Sequence, residues 1–227
     1  MRQQGIKRAE VLSPSQIRHL LRVTDATSRY PERDAVILLL GLGCGMRITE
    51  TAQVTVADFL FSKRRAAPRN IFARRDHKGV SATLCRSVVA EAYRCVTPVC
   101  GHRRERGIGT TLGRTDFNGL NCQLPLIVSR KGYPYLLSLK RRENAEGCTT
   151  DYWAADSLQA YVTGLYRAAG LRGTSHSGRR TFATSLFRKG ATIEQVQLLL
   201  GHESIDDTSR YIDNRTQDFR AAIAAVI

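Results

Sequence analysis

The chain has 227 residues, of which 35 are Lys or Arg and 20 are Asp or Glu, giving a formal charge of +15. That length can bury a proper core. Residues 1–10 lack the apolar stretch of a signal peptide and no apolar run reaches transmembrane length, so a soluble, cytoplasmic protein with no membrane partner is expected. The positive excess favours a polyanion, chiefly through release of counterions from a phosphate backbone.

The six cysteines, Cys44, Cys85, Cys95, Cys100, Cys122 and Cys148, form no CxxC pair and suggest reduced thiols rather than a disulfide framework. Cys95, Cys100 and His102 match no common zinc spacing, and no metal is expected.

Residues 1–12 are polar and basic and read as a short arm. Ser13-Pro14-Ser15-Gln16 then supplies a cap, a proline at the first helical position and a capping-box glutamine, followed by Ile17, Leu20, Leu21 and Thr24 on one face. A second helix is predicted from about Glu32, apolar all round from Ala35 to Leu40 and interrupted by Gly41, Gly43 and Gly45. Arg47 to Glu50 opens a short helix. Residues 71–73 and 81–84 are predicted strands joined by a hairpin turn at 76–79, among the basic residues Lys63, Arg64, Arg65, Arg69, Arg74, Arg75 and Lys78.

A helix is expected over 86–98, irregular structure over 101–121, and a short strand at 126–128 with a turn through Gly132. The basic patch Lys140, Arg141 and Arg142 precedes a helix expected from about Tyr152 to Ala169. Further helices are predicted from near Ser177 to Gly190 and, behind a second capping box at Thr192–Gln195, up to Gly201. Ser204 to Asp207 begins a turn leading to Tyr211. An amphipathic tail from Thr216 carries Phe219, Ala222, Ile223 and Val226.

Within the last quarter, residue types that suit attack on a phosphodiester fall close together. Tyrosine can serve as the nucleophile. Arg179 offers a planar fork to two phosphate oxygens, His176 three residues earlier shares its helix face, and His202 adds a second imidazole. Arg179 and His202 are 23 residues apart, and His202 and Tyr211 nine.

With His176xxArg179, the following Arg180-Thr-Phe-Ala-Thr184, Leu200-Gly-His202 and Tyr211 in place, the chain resembles the tyrosine recombinase, or phage integrase, family over roughly residues 10–215. Gly43-Cys-Gly45-Met-Arg47-Ile-Thr-Glu50 resembles the family's first arginine motif, and Lys78 falls where the family places a lysine on a β-hairpin. The resemblance implies a mainly α fold with a small antiparallel β-sheet (α+β). It implies an arm at 1–12, a catalytic domain at 13–215 and a C-terminal helix at 216–227 that docks in cis or on a neighbouring subunit.

The implied chemistry is site-specific DNA recombination without metal or cofactor. Tyr211 attacks the scissile phosphate to form a 3′-phosphotyrosyl link, Arg47 and Arg179 hold the nonbridging oxygens, and Lys78 is the acid for the leaving 5′ oxygen. His176 assists proton transfer, His202 donates to the phosphate, and Glu50 orients Arg47 or a histidine. Lys63, Arg64, Arg65, Arg74, Arg75, Lys140, Arg141 and Arg142 are the expected contacts to double-stranded DNA. The implied assembly is a homotetramer on DNA that passes through a Holliday junction and is monomeric when free, with accessory DNA-bending proteins as further partners. A type IB topoisomerase-like strand transferase and a silent DNA-binding regulator are the alternatives. The chain departs from the family pattern in two ways. Only twelve residues precede Ser13, where the usual member carries a DNA-binding domain, so a short recombinase or a catalytic fragment is expected. Arg180 stands where many members have a second histidine.

Overall fold

The computed structural model describes residues 9–60, 96–111, 116–143, 147 and 149–212. Among them the fold is mainly helical, with one two-stranded antiparallel sheet. Helices α1 (Pro14–Thr27), α2 (Pro31–Cys44), α3 (Ile48–Gln53) and α4 (Val56–Phe59) come first. Helical residues 96–105, here α5, precede strands β1 (Ser138–Glu143) and β2 (Thr149–Ala154). Helices α6 (Asp156–Ala168), α7 (Ser175–Arg188), α8 (Ile193–Leu200) and α9 (Ile205–Ser209) complete the order.

Local hydrogen bonding sets the helix starts. Ser13 Oγ accepts from the Gln16 amide at 3.2 Å while Gln16 Oε1 accepts from the Ser13 amide at 2.8 Å. Thr192 and Gln195 form the same reciprocal pair at 3.3 and 3.0 Å. Both capping boxes satisfy amide donors that a helix end leaves without partners.

The glycine-rich stretch does not break α2. The helix continues through Gly41 and Gly43 and ends at Gly45, whose φ of +63° is the left-handed conformation that favours glycine. At Gly41 the helix is crossed closely by α7. A β-carbon on Gly178 would lie 3.0 Å from the Gly41 carbonyl carbon and 3.2 Å from the Leu42 nitrogen. The bare backbone of α7 at Gly178 permits this approach, and it brings the end of α2 beside Arg179.

The main core joins Leu20 of α1, Val36 and Leu40 of α2, Val56 of α4, Val96 of α5, Leu126, and Leu158 and Val162 of α6. A smaller cluster, Ala183, Leu186, Val196 and Leu200, fills the space between α7 and α8, with Phe182 and Tyr211 at its edge. Asp34, fully buried, accepts from Ser28 Oγ, from Arg33 Nε at 2.9 Å and from Tyr161 Oη at 2.6 Å. Arg33 Nη1 donates to the Val128 carbonyl at 3.2 Å. Burial and the adjacent carboxylate push the Tyr161 phenol far above its ordinary range, so it remains a donor. This network ties α2 to α6 and to the 126–128 segment.

Residues 9–12 are not a detached arm. Val11 and Leu12 are buried, the Leu12 amide donates to Thr181 Oγ1 at 3.0 Å, and Arg180 Nη1 donates to the Ala9 carbonyl. The residue that departs from the family pattern therefore holds the entering chain against α7.

Two further expectations need correction. Tyr152 does not begin a helix: residues 149–154 form β2, paired with β1 in the register Lys140↔Tyr152 and Leu139↔Trp153, and α6 starts at Asp156. Thr149, Thr150, Tyr152 and Trp153 are residues that suit a pleated strand, and β1 gives them a partner. The strand expected at 126–128 is instead an isolated bridge, Val128↔Pro134, closed by a turn in which the Ser129 amide donates to the Tyr133 carbonyl at 2.8 Å. The expected hairpin at 71–84, most of the helix over 86–98, and the tail from Thr216 lie outside the described residues.

The α2–α7 crossing makes a graded prediction. Gly178→Ala must displace backbone and is expected to lower the unfolding free energy by about 1–2 kcal/mol in chemical denaturation. Gly41→Ala meets only a 3.7 Å contact to Gly178 Cα and is expected to be neutral or stabilising by up to about 1 kcal/mol. Equal losses in the two variants would contradict this packing.

Candidate active site

Two helix ends hold two arginines. The Gly45 carbonyl, at the end of α2, accepts from Arg179 Nη1 at 2.5 Å, and the Leu200 carbonyl, at the end of α8, accepts from Arg179 Nη2 at 2.5 Å. The Gly201 carbonyl accepts from Arg47 Nη2 at 3.2 Å. Carbonyls at a helix C-terminus carry the negative end of the macrodipole and attract cations, so both guanidinium groups are oriented before any ligand arrives. Gly201 ends α8 in the left-handed conformation, φ +62°, as Gly45 ends α2. At Gly45 a β-carbon would lie 2.4 Å from Phe182 Cδ1, so that turn needs glycine for space as well as conformation.

Arg179 is buried, only 3% exposed, whereas the Arg47 side chain is 39% exposed. Glu50 fixes Arg47 twice, accepting from its backbone amide at 2.8 Å and from Nη1 at 3.0 Å. The first contact also caps the N-terminus of α3, so one carboxylate both starts a helix and aims a guanidinium.

Thr174 starts α7, its hydroxyl accepting from the His176 amide at 3.3 Å. His176 and Arg179 therefore project from the first two turns of one helix. Burial, and then the nearby Arg179 charge, lower the His176 pKa from its ordinary value of 6.5, which favours the neutral imidazole.

His202 and Tyr211 meet as rings 4.9 Å apart between centroids, and the Arg179 guanidinium carbon lies 5.8 Å from the Tyr211 ring centroid. Two threonines outside the expected set hold these groups. Thr208 Oγ1 is 3.0 Å from His202 Nδ1, and the Thr208 carbonyl accepts from the Tyr211 amide at 2.9 Å. Thr184 Oγ1 donates to the Tyr211 carbonyl at 3.3 Å. The available signal was positional: Thr208 lies one turn before Tyr211, and Thr184 closes the run that follows Arg179.

Arg47, His176, Arg179 and Tyr211 line one cleft of about 230 Å³, bordered by Met46, Ser175 and, from the hairpin, Tyr152 and Trp153. The two aromatics went unrecognised in the sequence because the segment carrying them reads as a helix start. Lys140 and Arg141 lie on exposed β1, where Lys140 pairs with Asp156 and Arg141 with Asp151, each at 2.8 Å, and Arg142 is exposed beside them. Lys63, Arg64, Arg65, Arg74, Arg75 and Lys78 lie outside the described residues. Among the described residues no group of three His, Cys, Asp or Glu side chains could hold a metal ion, and no helix is long and apolar enough to cross a membrane.

Residues 149–218 match the model of the phage integrase family. Tyrosine recombinase XerA of Pyrococcus horikoshii is 25% identical over 213 residues, covering 93% of this chain and 59% of that protein. Tyrosine recombinase XerC of Agrobacterium fabrum is 26% identical over 204 residues, covering 86% of this chain and 52% of that one. The chain thus spans little more than half the length of these relatives. A crystal structure of XerA recombinase superposes over 99% of this chain and 66% of its own, at 17% identity and a TM-score of 0.60. A lambda integrase tetramer bound to a Holliday junction superposes over 94% of this chain and 50% of its own, at 15% identity and a TM-score of 0.52. The fold is that of tyrosine recombinase catalytic domains.

The depressed His176 pKa has a consequence for stability. The unfolded chain binds the proton more readily than the folded one, so stability falls as pH drops from about 6.5 toward the lower folded value and is regained above it. His176→Asn is expected to flatten that acidic limb in denaturant melts. An unchanged limb would contradict an imidazole kept neutral beside Arg179.

Proposed function

We propose that the chain is a tyrosine recombinase of the phage integrase family, whose model residues 149–218 match, and that it cleaves and rejoins DNA strands at specific sites through Tyr211. The observation that carries this reading is the fixing of Arg179 by two helix-end carbonyls beside the rings of Tyr211 and His202. Preset donors around a nucleophile are what phosphoryl transfer requires, because catalysis there is mostly positioning and stabilisation of charge on the phosphate oxygens.

In the proposed step Tyr211 Oη attacks the scissile phosphorus, a tyrosyl–phosphorus bond forms, and the bond to the 5′ oxygen breaks. The phenol proton passes to His176, whose neutral imidazole is able to accept it. The 5′ oxygen leaves with a proton from Lys78, a role that rests on the family resemblance. Arg47 and Arg179 hold the nonbridging oxygens. The 3.0 Å contact between His202 Nδ1 and Thr208 Oγ1 fixes the orientation of the imidazole, which in this reading donates to the phosphate through its other nitrogen. Glu50 acts by holding Arg47.

Bond energy is conserved in the phosphotyrosyl link, so a 5′-hydroxyl from a second strand reverses the step and exchanges strands. The lambda integrase tetramer on a Holliday junction supports a homotetramer on double-stranded DNA as the working assembly. The net charge of +15 supports the same partner. Lys63, Arg64, Arg65, Arg74, Arg75 and Arg142 are proposed backbone contacts, whereas Lys140 and Arg141 first have to exchange their carboxylate partners for phosphate.

The test is covalent capture from a pool of nicked duplexes of randomised sequence. Wild type is expected to form a protein–DNA adduct through the 3′ phosphate, and Tyr211→Phe none. Arg47→Ala and Arg179→Ala are expected to slow adduct formation about 10²- to 10³-fold while weakening DNA binding far less. An adduct that persists in Tyr211→Phe, or equal losses in binding and cleavage for the arginine variants, overturns the assignment.

A further inference from the structure

The hairpin β1–β2 is exposed along almost its whole length, on both faces. Tyr133, Leu136, Leu139, Tyr152 and Trp153, all between residues 133 and 153, are large apolar side chains left open to solvent, Trp153 at 59% and Tyr152 at 45%. Exposed apolar groups gathered in one short segment mark a contact surface. Tyr152 and Trp153 also line the cleft that holds Arg47, His176, Arg179 and Tyr211. The surface therefore continues directly into the reacting centre.

Resting on the phosphotyrosyl reading above, we propose that Trp153 packs against the base of the nucleotide flanking the scissile phosphate and holds that nucleotide in register with Tyr211. Three features of the ribbon favour a nucleotide as occupant. An exposed indole offers a flat π-face to any base. Leu139 is the cross-strand neighbour of Trp153 and extends its apolar face, while Arg142, opposite Thr150 on the other face of the ribbon, gives an exposed cation for the adjoining backbone. A two-stranded ribbon is also of a width that enters a DNA groove. A second copy of this chain would cover Leu136 and Leu139 equally well, but it would have to close the cleft to reach Trp153, and a phosphodiester must enter there.

Trp153 is the sole tryptophan of the chain, so its fluorescence reports on this contact alone. The probe is a nicked duplex recovered by the covalent capture described above, titrated into the Tyr211→Phe protein. The indole emission is expected to be quenched, and the quench to disappear when the flanking nucleotide is replaced by an abasic analogue. Trp153→Ala is expected to slow adduct formation about tenfold, and Trp153→Phe, which keeps a ring, to restore most of that loss. The side chain is exposed, so both variants should keep the wild-type melting transition.

Adduct formation without quenching, or equal rates in wild type and Trp153→Ala, overturns the stacking role and leaves the cleavage chemistry standing. A blue shift that grows with protein concentration in the absence of DNA assigns the ribbon to self-association instead. If capture yields no adduct, the phosphotyrosyl reading fails and takes this inference with it.

Discussion

The hold of two helix-end carbonyls on Arg179 is the constraint on which the rest of the site depends. A guanidinium 3% exposed cannot be left without partners, since burying a charge is expensive unless its donors are satisfied. The Gly45 and Leu200 carbonyls satisfy Nη1 and Nη2, and neither acceptor carries a formal charge. A carboxylate in either place would orient the group equally well but would cancel the positive potential a phosphate needs. Helix ends give direction without that cancellation.

This hold sets demands on the fold well away from the cleft. For the Gly45 carbonyl to reach Arg179, α2 and α7 must cross closely, and Gly41 and Gly178 supply the crossing. For the Leu200 carbonyl to reach it, α8 must dock on α7, and the small cluster of Ala183, Leu186, Val196 and Leu200 does that work. Tyr211 sits at the margin of the same cluster, with its backbone held by Thr184 and Thr208. The apolar contacts that set the angle of α8 thereby also set the distance from Tyr211 to Arg179. Arg47 is coupled to the same geometry, because its partner Gly201 is the residue that ends α8.

How far the sequence revealed this depended on the range of the interaction. Capping boxes at Ser13 and Thr192 are local and were readable, as were the helices behind them. The constellation His176, Arg179, His202 and Tyr211 was readable because helix spacing and two short turns fix its members. Gly41 and Gly43 read as a break in the sequence, but the helix runs through them because it is packed against α7, which crosses at Gly178, 137 residues from Gly41. The β1–β2 hairpin was misread for a similar reason: Tyr152 and Trp153 precede a helix start, and their strand partner is specified by pairing rather than by periodicity. Thr208 carried no motif of its own, and its part emerges only where its hydroxyl meets His202.

The same contrast explains the division of roles between the arginines. Arg179, buried and bound to neutral carbonyls, has little freedom and acts as a fixed positive point, felt even by His176 through its depressed pKa. Arg47, 39% exposed and held by Glu50, keeps one carbonyl and one carboxylate contact and stands at the open side of the cleft. In the proposed reaction a phosphate entering from solvent meets Arg47, the more exposed of the two, and competes with Glu50 for it before settling against Arg179. Burial thus sorts two chemically identical side chains into an adjustable outer contact and a rigid inner one. A site built in this order favours the charge distribution that develops once the phosphate is fully seated, which is the condition for stabilising a transition state rather than a resting ligand.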